Sequence, residues 1–426
     1  MAKKTTTSKK TTTKKASTST STKAKATKKV TKSTSKPTKK TTSKTTTKKT
    51  AAKKPTTTKK TTKKKTTAKK PTTAKKTAAK KPTTSKKTVS QKTSAKPVKK
   101  TTTPKKTKKR TTKKPATPKK TEEEIQEEKE RLESYKKAGA IAKKVKTFIR
   151  PKIKPGVKII DLVDLAEKKI VELGGKTGFP VNISINHVAA HYTPPPGDTT
   201  EIQDGDIIKF DLGVHIEGYS VDTAFTVSLN TEPALENLIK ASEEAVENAI
   251  KLVKHGVKTN VLGEIIEKTV RKYGYKPVHN LQGHKIERWD VHGGKSIPCV
   301  STPTGDTMED GEIFAVEVFV SNGEGAIHAQ SSNEQIYQLN PRVGKIPLRN
   351  KTARKILGYL VREFKTLPFS RYQVYQEFPQ GTFALFSLVK TNKLEKHHIL
   401  SEKKGFFIAQ TEHTILVTKT GCKILT

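Results

Sequence analysis

Two runs decide how this chain folds: Ile207-Ile208-Lys209-Phe210-Asp211-Leu212-Gly213 and Ser220-Val221-Asp222-Thr223-Ala224-Phe225-Thr226-Val227. Both are rich in β-branched and aromatic residues, and His215-Ile216-Glu217-Gly218-Tyr219 between them reads as a hairpin turn. A turn centred between Ile216 and Glu217 sets Asp211 opposite Asp222 on one face, with Cβ atoms roughly 4.5–5.5 Å apart. Facing carboxylates repel unless something positive sits between them, and a divalent metal is the simplest candidate. The alternative is a pair of carboxylates on a solvated face. Phe210, Leu212, Val221, Ala224 and Phe225 alongside argue for burial.

Outward from this hairpin, strand-like runs recur at 312–320 and 406–418. Upstream, Ile125, Leu132, Tyr135, Ala138, Ile141, Ala142, Val145 and Ile149 fall mostly at helical spacing, with acids at the front of the stretch and bases at its back, as the helix dipole favours. Pro151 and Pro155-Gly156 end that helix, and a second over roughly 160–173 stops at Gly174-Gly175. Helices mixed with strands in no simple βαβ alternation indicate an α+β fold.

The first 120 residues are of another kind. They hold 45 of the 87 Lys and Arg and no Asp or Glu, leaving 42 basic and 39 acidic residues for the rest of the 426-residue chain. With almost nothing apolar to bury, this Lys/Thr-rich segment, taken as 1–121, is expected to be a disordered tail. Its lysines suit sequence-independent, salt-sensitive binding to RNA or DNA, whereas the absence of aromatic residues gives no support to base stacking. Residues 122–426 are long enough for one large domain. Cys299 and Cys422 alone cannot staple a disulfide scaffold or build a Cys-type zinc site, which points to a reducing compartment. No apolar run approaches the roughly 20 residues that span a bilayer, and the opening MAKKTTTSKK lacks the apolar stretch of a secretory signal.

Further chemistry-bearing residues are scattered along the domain. They are His284 in Leu281-Gln282-Gly283-His284, His292 in Val291-His292-Gly293-Gly294, Glu317 inside Phe314-Ala315-Val316-Glu317-Val318-Phe319, and Glu412 inside Gln410-Thr411-Glu412-His413-Thr414. A charged residue within an apolar strand is costly unless paired or metal-bound. Singly, each reads as an ordinary histidine or a satisfied carboxylate. Together, four carboxylates with one or two imidazoles suit two divalent ions, with O and N donors favouring Mn, Fe, Co or Zn. A pair of such ions can activate a shared hydroxide and polarise a carbonyl, so the residue types indicate metal-assisted hydrolysis without identifying a substrate.

Phe179-Pro180, Asn186-His187-Val188-Ala189-Ala190-His191-Tyr192-Thr193-Pro194, Lys209-Phe210-Asp211-Leu212-Gly213, Val221-Asp222-Thr223-Ala224, Gly283-His284, Val291-His292-Gly293-Gly294-Lys295 and Thr411-Glu412-His413-Thr414 together resemble the type II methionine aminopeptidases. The likeness runs from about residue 122 to the end. It implies the pita-bread (creatinase/aminopeptidase-like) α+β fold, two pseudo-symmetric halves around a dinuclear metal site. It implies Asp211, Asp222, His284, Glu317 and Glu412 as ligands, with Asp222 and Glu412 bridging two divalent ions whose identity (Co, Mn, Fe or Zn) stays open. It makes Glu317 the proton acceptor, sets His191 and His292 against the substrate as catalytic and binding residues, and lines the methionine slot with Phe179 and Val291. The spacing of 95 positions from Glu317 to Glu412 matches a type II insertion, a helical subdomain at about 340–400. One departure is Gln335-Ile336-Tyr337, near where the resemblance leads one to expect a histidine.

The implied activity is removal of the initiator methionine from nascent chains when the second residue is small, by a cytoplasmic monomer. The basic tail would contact the ribosome or another polyanion, permit access to the nucleus and leave membranes untouched. Two other readings use the same residues differently: a relative without catalysis that binds nucleic acid or the ribosome, and a prolidase or Xaa-Pro aminopeptidase. The complete ligand set opposes the first, and Ala189-Ala190-His191-Tyr192-Thr193-Pro194 opposes the second.

Overall fold

The computed structural model describes residues 121–330, 333–342 and 347–426. The tail expected over 1–121 lies, apart from Thr121, outside these residues. Helix α1 (Glu122–Ile149) begins with a capping box: the Thr121 hydroxyl accepts from the Glu124 amide, and the Glu124 carboxylate accepts from the Thr121 amide. A single 3₁₀ turn at Arg150–Lys152 absorbs Pro151 before α2 (Ile159–Glu172). Then follow β1 (Lys176–Ile185), β2 (Val188–Ala190), β3 (Ile207–Ile216) and β4 (Tyr219–Ser228).

The next stretch repeats the plan: α3 (Pro233–Leu252), α4 (Thr259–Lys272), then β5 (Lys276–Pro277), β6 (Gln282–Ile286), β7 (Ser296–Pro298) and β8 (Ile313–Ser321). The repetition is written in the sequence, although composition and motif reading pass over it. Lys154-Pro155-Gly156-Val157-Lys158 returns as Lys254-His255-Gly256-Val257-Lys258, and Gln203-Asp204-Gly205-Asp206-Ile207 returns as Glu309-Asp310-Gly311-Glu312-Ile313. The matching backbone bonds repeat as well: Gly156 N to Ile202 O and Gly256 N to Met308 O are both 2.8 Å. Asp211 stands four residues after Ile207, and Glu317 four after Ile313. The two carboxylates therefore occupy equivalent places in the two halves.

The remainder comprises β9 (His328–Gln330), β10 (Ile336–Leu339), α5 (Lys351–Glu363), β11 (Phe369–Ser370), α6 (Arg371–Glu377), α7 (Thr382–Lys390), β12 (Leu394–His397), β13 (Ile399–Ser401), β14 (Ile408–Val417) and β15 (Cys422–Ile424). Helices α5 to α7 pack on the small sheet β11-β10-β12 over a core of their own, which includes Ile356, Leu360, Phe369 and Leu388. The two main sheets are β1-β3-β4 and β15-β14-β8-β6-β7, with β5 also on β8. Helices α1 and α2 bury their apolar faces on the first sheet, and α3 and α4 on the second.

The hairpin register differs from expectation. Asp211 pairs with Ala224, and Asp222 with Gly213, so the turn is centred on Glu217-Gly218, one residue later than expected. Both turn residues have positive φ, 50° and 85°, the backbone whose twist matches that of the flanking strands. Glycine at the second turn position carries this signal. The two aspartates are consequently diagonal rather than directly opposite, though still on one face.

Candidate metal centre

The two sheets meet along β4 and β14, where threonine hydroxyls take the place of a backbone ladder. Thr414 Oγ1 accepts from Asp222 N at 2.7 Å and donates to Asp222 O at 2.6 Å. Thr226 makes the reciprocal pair with Gln410 N and O, both at 2.8 Å, and Thr223 Oγ1 donates to Glu412 O at 2.8 Å. Each seam residue is held at its backbone, which leaves the Asp222 and Glu412 side chains free to face inward. On the far side of β14, Glu412 is paired directly with Glu317 of β8. His284 on β6 lies opposite Ala315, two residues before Glu317.

These strands bring five sequence-predicted residues together. Donor atoms of Asp222, His284 and Glu412 lie within 4.8 Å of one another, and so do those of Asp211, Glu317 and Glu412. Glu412 belongs to both groups, whereas Asp222 belongs to the first. Asp211, Asp222, His284 and Glu412 are buried and Glu317 is half-buried. Burial raises the pKa of Asp211 to about 6. Burial and the neighbouring carboxylates hold Asp222, Glu317 and Glu412 well above the usual carboxylate range. Burial and the nearby His292 lower His284 to about 3, so its imidazole is neutral, as a metal ligand must be.

The donor set can be tested against a cation by its unsatisfied atoms. Asp211 Oδ1, Asp222 Oδ1 and both Glu412 carboxylate oxygens are buried without a hydrogen-bond donor. Buried carboxylate oxygens normally take hydrogen bonds, and a cluster left without them fits cations.

A cavity of about 480 Å³ opens over this cluster, lined by Phe179, His191, Val291, His292 and His397 among others. His191 has a φ of 63°, sparsely used by residues with side chains, and its Nδ1 donates to His398 O at 3.0 Å. Burial lowers its pKa to about 4, so the ring is neutral and its Nε2 is an acceptor. His292 is exposed at the mouth, its ring 4.4 Å from that of His284. Phe179 sits at an irregularity of β1, packed with Val291 and Leu367. Gly213 makes room for it, since a Cβ there would come within 2.4 Å of the Phe179 ring. Gly213→Ala is expected to displace Phe179 from the cavity wall, at a stability cost of roughly 1–3 kcal/mol from overpacking. Thermal melting reads the cost, and an unchanged Tm would show that the ring moves aside freely.

Sequence reasoning passed over three residues of the site, of which Asn182 and His397 line the cavity. Gln410 Nε2 donates to Glu317 Oε1 at 2.8 Å and to Asp211 Oδ2 at 3.3 Å, tying carboxylates from two sheets together. It precedes Glu412 by two on one strand, so the period-2 rule places both on one face. Asn182 is paired with Asp211 across β1 and β3 and favours the charged form of its carboxyl. His397 carries no local signal. In the departing segment, Gln335 is 1% exposed and donates to Asn333, whereas Ile336 lines the cavity.

Four carboxylates and an imidazole gathered on a doubled antiparallel scaffold define a metallohydrolase of the pita-bread class. Residues 133–419 match the model of metallopeptidase family M24. The methionine aminopeptidase of Thermococcus onnurineus is 42% identical over 294 residues, 68% of this chain and 97% of that protein. Methionine aminopeptidase 2 of Schizosaccharomyces pombe is 34% identical, over 68% of this chain and 71% of its own length. Among solved structures, a thermophilic Arx1 superposes with a TM-score of 0.62 at 22% identity, covering 70% of this chain and 90% of that one. The methionine aminopeptidase of Thermotoga maritima gives 0.52, also at 22% identity, covering 70% and 96%. The chain belongs to metallopeptidase family M24, on its methionine aminopeptidase branch. Among the described residues, no helix is long and apolar enough to cross a membrane.

Proposed function

We propose that this protein removes the N-terminal methionine from newly made chains whose second residue is small. The observation that carries the reading is the shared Glu412, whose two oxygens have no hydrogen-bond donor between two converging donor groups. Asp222, His284 and Glu412 would hold one divalent ion and Asp211, Glu317 and Glu412 a second. Held there, such ions would supply Lewis-acid chemistry, polarising a carbonyl and lowering the pKa of a water. Glu317, half-buried beside the cavity and steadied by Gln410, is the group suited to take up the water's proton. The neutral His191 Nε2 accepts from the N–H of the scissile bond, and His292 at the mouth contacts the peptide from the other side. Phe179 and Val291 receive the methionine side chain, whose unbranched thioether suits an apolar slot.

The ion set is Mn, Fe, Co or Zn by donor type. All five proposed ligands come from this chain, so the site needs no second copy, and the proposed enzyme acts as a monomer. The lysines of residues 1–120 serve the same activity by holding the enzyme near ribosomal RNA or another polyanion, in the cytoplasm and, where that polyanion is nuclear, there too.

Purified protein given divalent cations is expected to release methionine from Met-Ala-Ser but not from its N-acetylated form. Equal cleavage of both, or of neither, would sink the proposal. A second expectation concerns pH. In the absence of cations, Asp222, Glu317 and Glu412 hold protons in the folded state at pH values where the unfolded chain has lost them. Their contribution is fully present below the unfolded carboxylate range near 4 and is lost as pH rises through the raised folded values. Chelator-stripped protein should therefore melt lower at pH 8 than at pH 5.5, with added cation raising Tm more at pH 8. Stripped and loaded protein with parallel Tm profiles would count against the assignment.

A further inference from the structure

His397 ends β12, within the sheet that carries α5 to α7, yet its ring lines the cavity over the carboxylate cluster. It stands edge-on to His191, with centroids 5.7 Å apart and an interplanar angle of 86°. Its hydrogen bonding settles its tautomer. Gln338 Nε2 donates to Thr366 O at 2.7 Å, and a carbonyl can only accept, so the amide's orientation is fixed. Gln338 Oε1 then faces His397 Nε2 at 3.1 Å, which makes that nitrogen the N–H donor. Burial and the neighbouring His191 and His292 lower the His397 pKa to about 3, so the ring stays neutral. Nδ1 is left as a bare acceptor with no protein hydrogen bond among the described residues. A side chain held in one tautomer with its acceptor unused, on a substrate cavity, is matched to a donor on the substrate.

The other sides of the cavity already have occupants in the proposed function, on which this inference rests. The carboxylates face the ions, Phe179 and Val291 face the methionine side chain, and His191 faces the scissile N–H. His397 adjoins His191, which in the proposed binding mode would put it beside the substrate residue on the far side of that bond. We propose that His397 is a specificity-determining residue for the second residue of the substrate, accepting through Nδ1 from the hydroxyl of Thr or Ser in preference to an isosteric apolar side chain. An acceptor left unpaired by valine costs binding, whereas threonine of nearly the same shape satisfies it.

The test uses two peptides differing in one atom group, Met-Thr-Ser and Met-Val-Ser, with the full-length metal-loaded enzyme. The wild-type protein is expected to show a higher kcat/KM on the threonine peptide. His397→Phe should shrink the Thr-to-Val ratio about three- to tenfold, the range of one hydrogen bond, by loss on the threonine side. His397→Asn, which keeps a short acceptor, should restore much of the ratio. A ratio unmoved by His397→Phe overturns the inference, and so does a variant that loses both peptides equally, since that marks a structural or main-chain role. Failure of the wild-type protein to cleave either peptide would instead overturn the proposed function, so the two outcomes are separable.

Discussion

Glu412→Gln is expected to lower methionine release by about a thousandfold or more, while the metal-free protein becomes no less stable. The substitution keeps the shape of a fully buried side chain and removes the one carboxylate shared by both donor groups. Polarisation of a carbonyl by bound cations is worth several kcal/mol in the transition state, and each ~1.36 kcal/mol is tenfold in rate. Stability moves the other way because a buried carboxylate amid Asp222, Glu317 and Asp211 disfavours its own ionised form. A neutral amide there relieves that repulsion, although its N–H2 must still find acceptors. Peptide turnover, cation affinity by titration calorimetry and Tm after chelation separate the two effects. A variant that retains turnover would take Glu412 out of the chemistry. One that loses turnover together with several degrees of metal-free Tm would make it a structural residue.

Deleting residues 1–120 is expected to abolish tight polyanion binding and leave tripeptide turnover within about twofold. The deletion removes 45 basic residues and no acidic ones, and what remains is nearly neutral. Each phosphate neutralised adds about 0.9 to the slope of log K against log salt on duplex nucleic acid, so a tail making several contacts loses orders of magnitude in affinity on deletion. The full-length protein should show a steep salt dependence on RNA and the shortened one a shallow slope. The cores under both main sheets and the carboxylate cluster all lie beyond residue 120, so the chemistry should not notice the loss. Equal affinity and slope for both proteins would place the nucleic-acid contact on the folded domain, or nowhere.

Helices α1 and α2 and the four long strands are legible because each writes its own period into the chain: apolar spacing of three and four residues in the helices, β-branched runs in the strands. Their ends agree with expectation to within a residue or two, since Thr121, Pro151 and Gly174 act locally. The duplication of the domain is equally available, in the recurring Lys-x-Gly-Val-Lys and Asp-Gly segments, and it marks Asp211 and Glu317 as counterparts before any coordinates. The hairpin centre falls one residue later than composition suggests because neighbouring turn placements share the same residues, and the positive φ at Glu217 settles the choice. Gln410 can be taken from strand alternation, but Asn182 and His397 cannot.

The order of residues thus sets the chemistry at hand, a charge-divided chain, the local elements and, through its motifs, the family. Three features emerge only on packing: Glu412 is the side chain common to both donor groups, threonine hydroxyls join the two sheets at β4 and β14, and His397 reaches the cavity from a distant subdomain. The reason is one of range. Propensity and periodicity act over a few residues, whereas the field at a buried carboxylate, or the partner that fixes a tautomer, depends on groups tens to hundreds of positions away that only packing brings within a few ångströms.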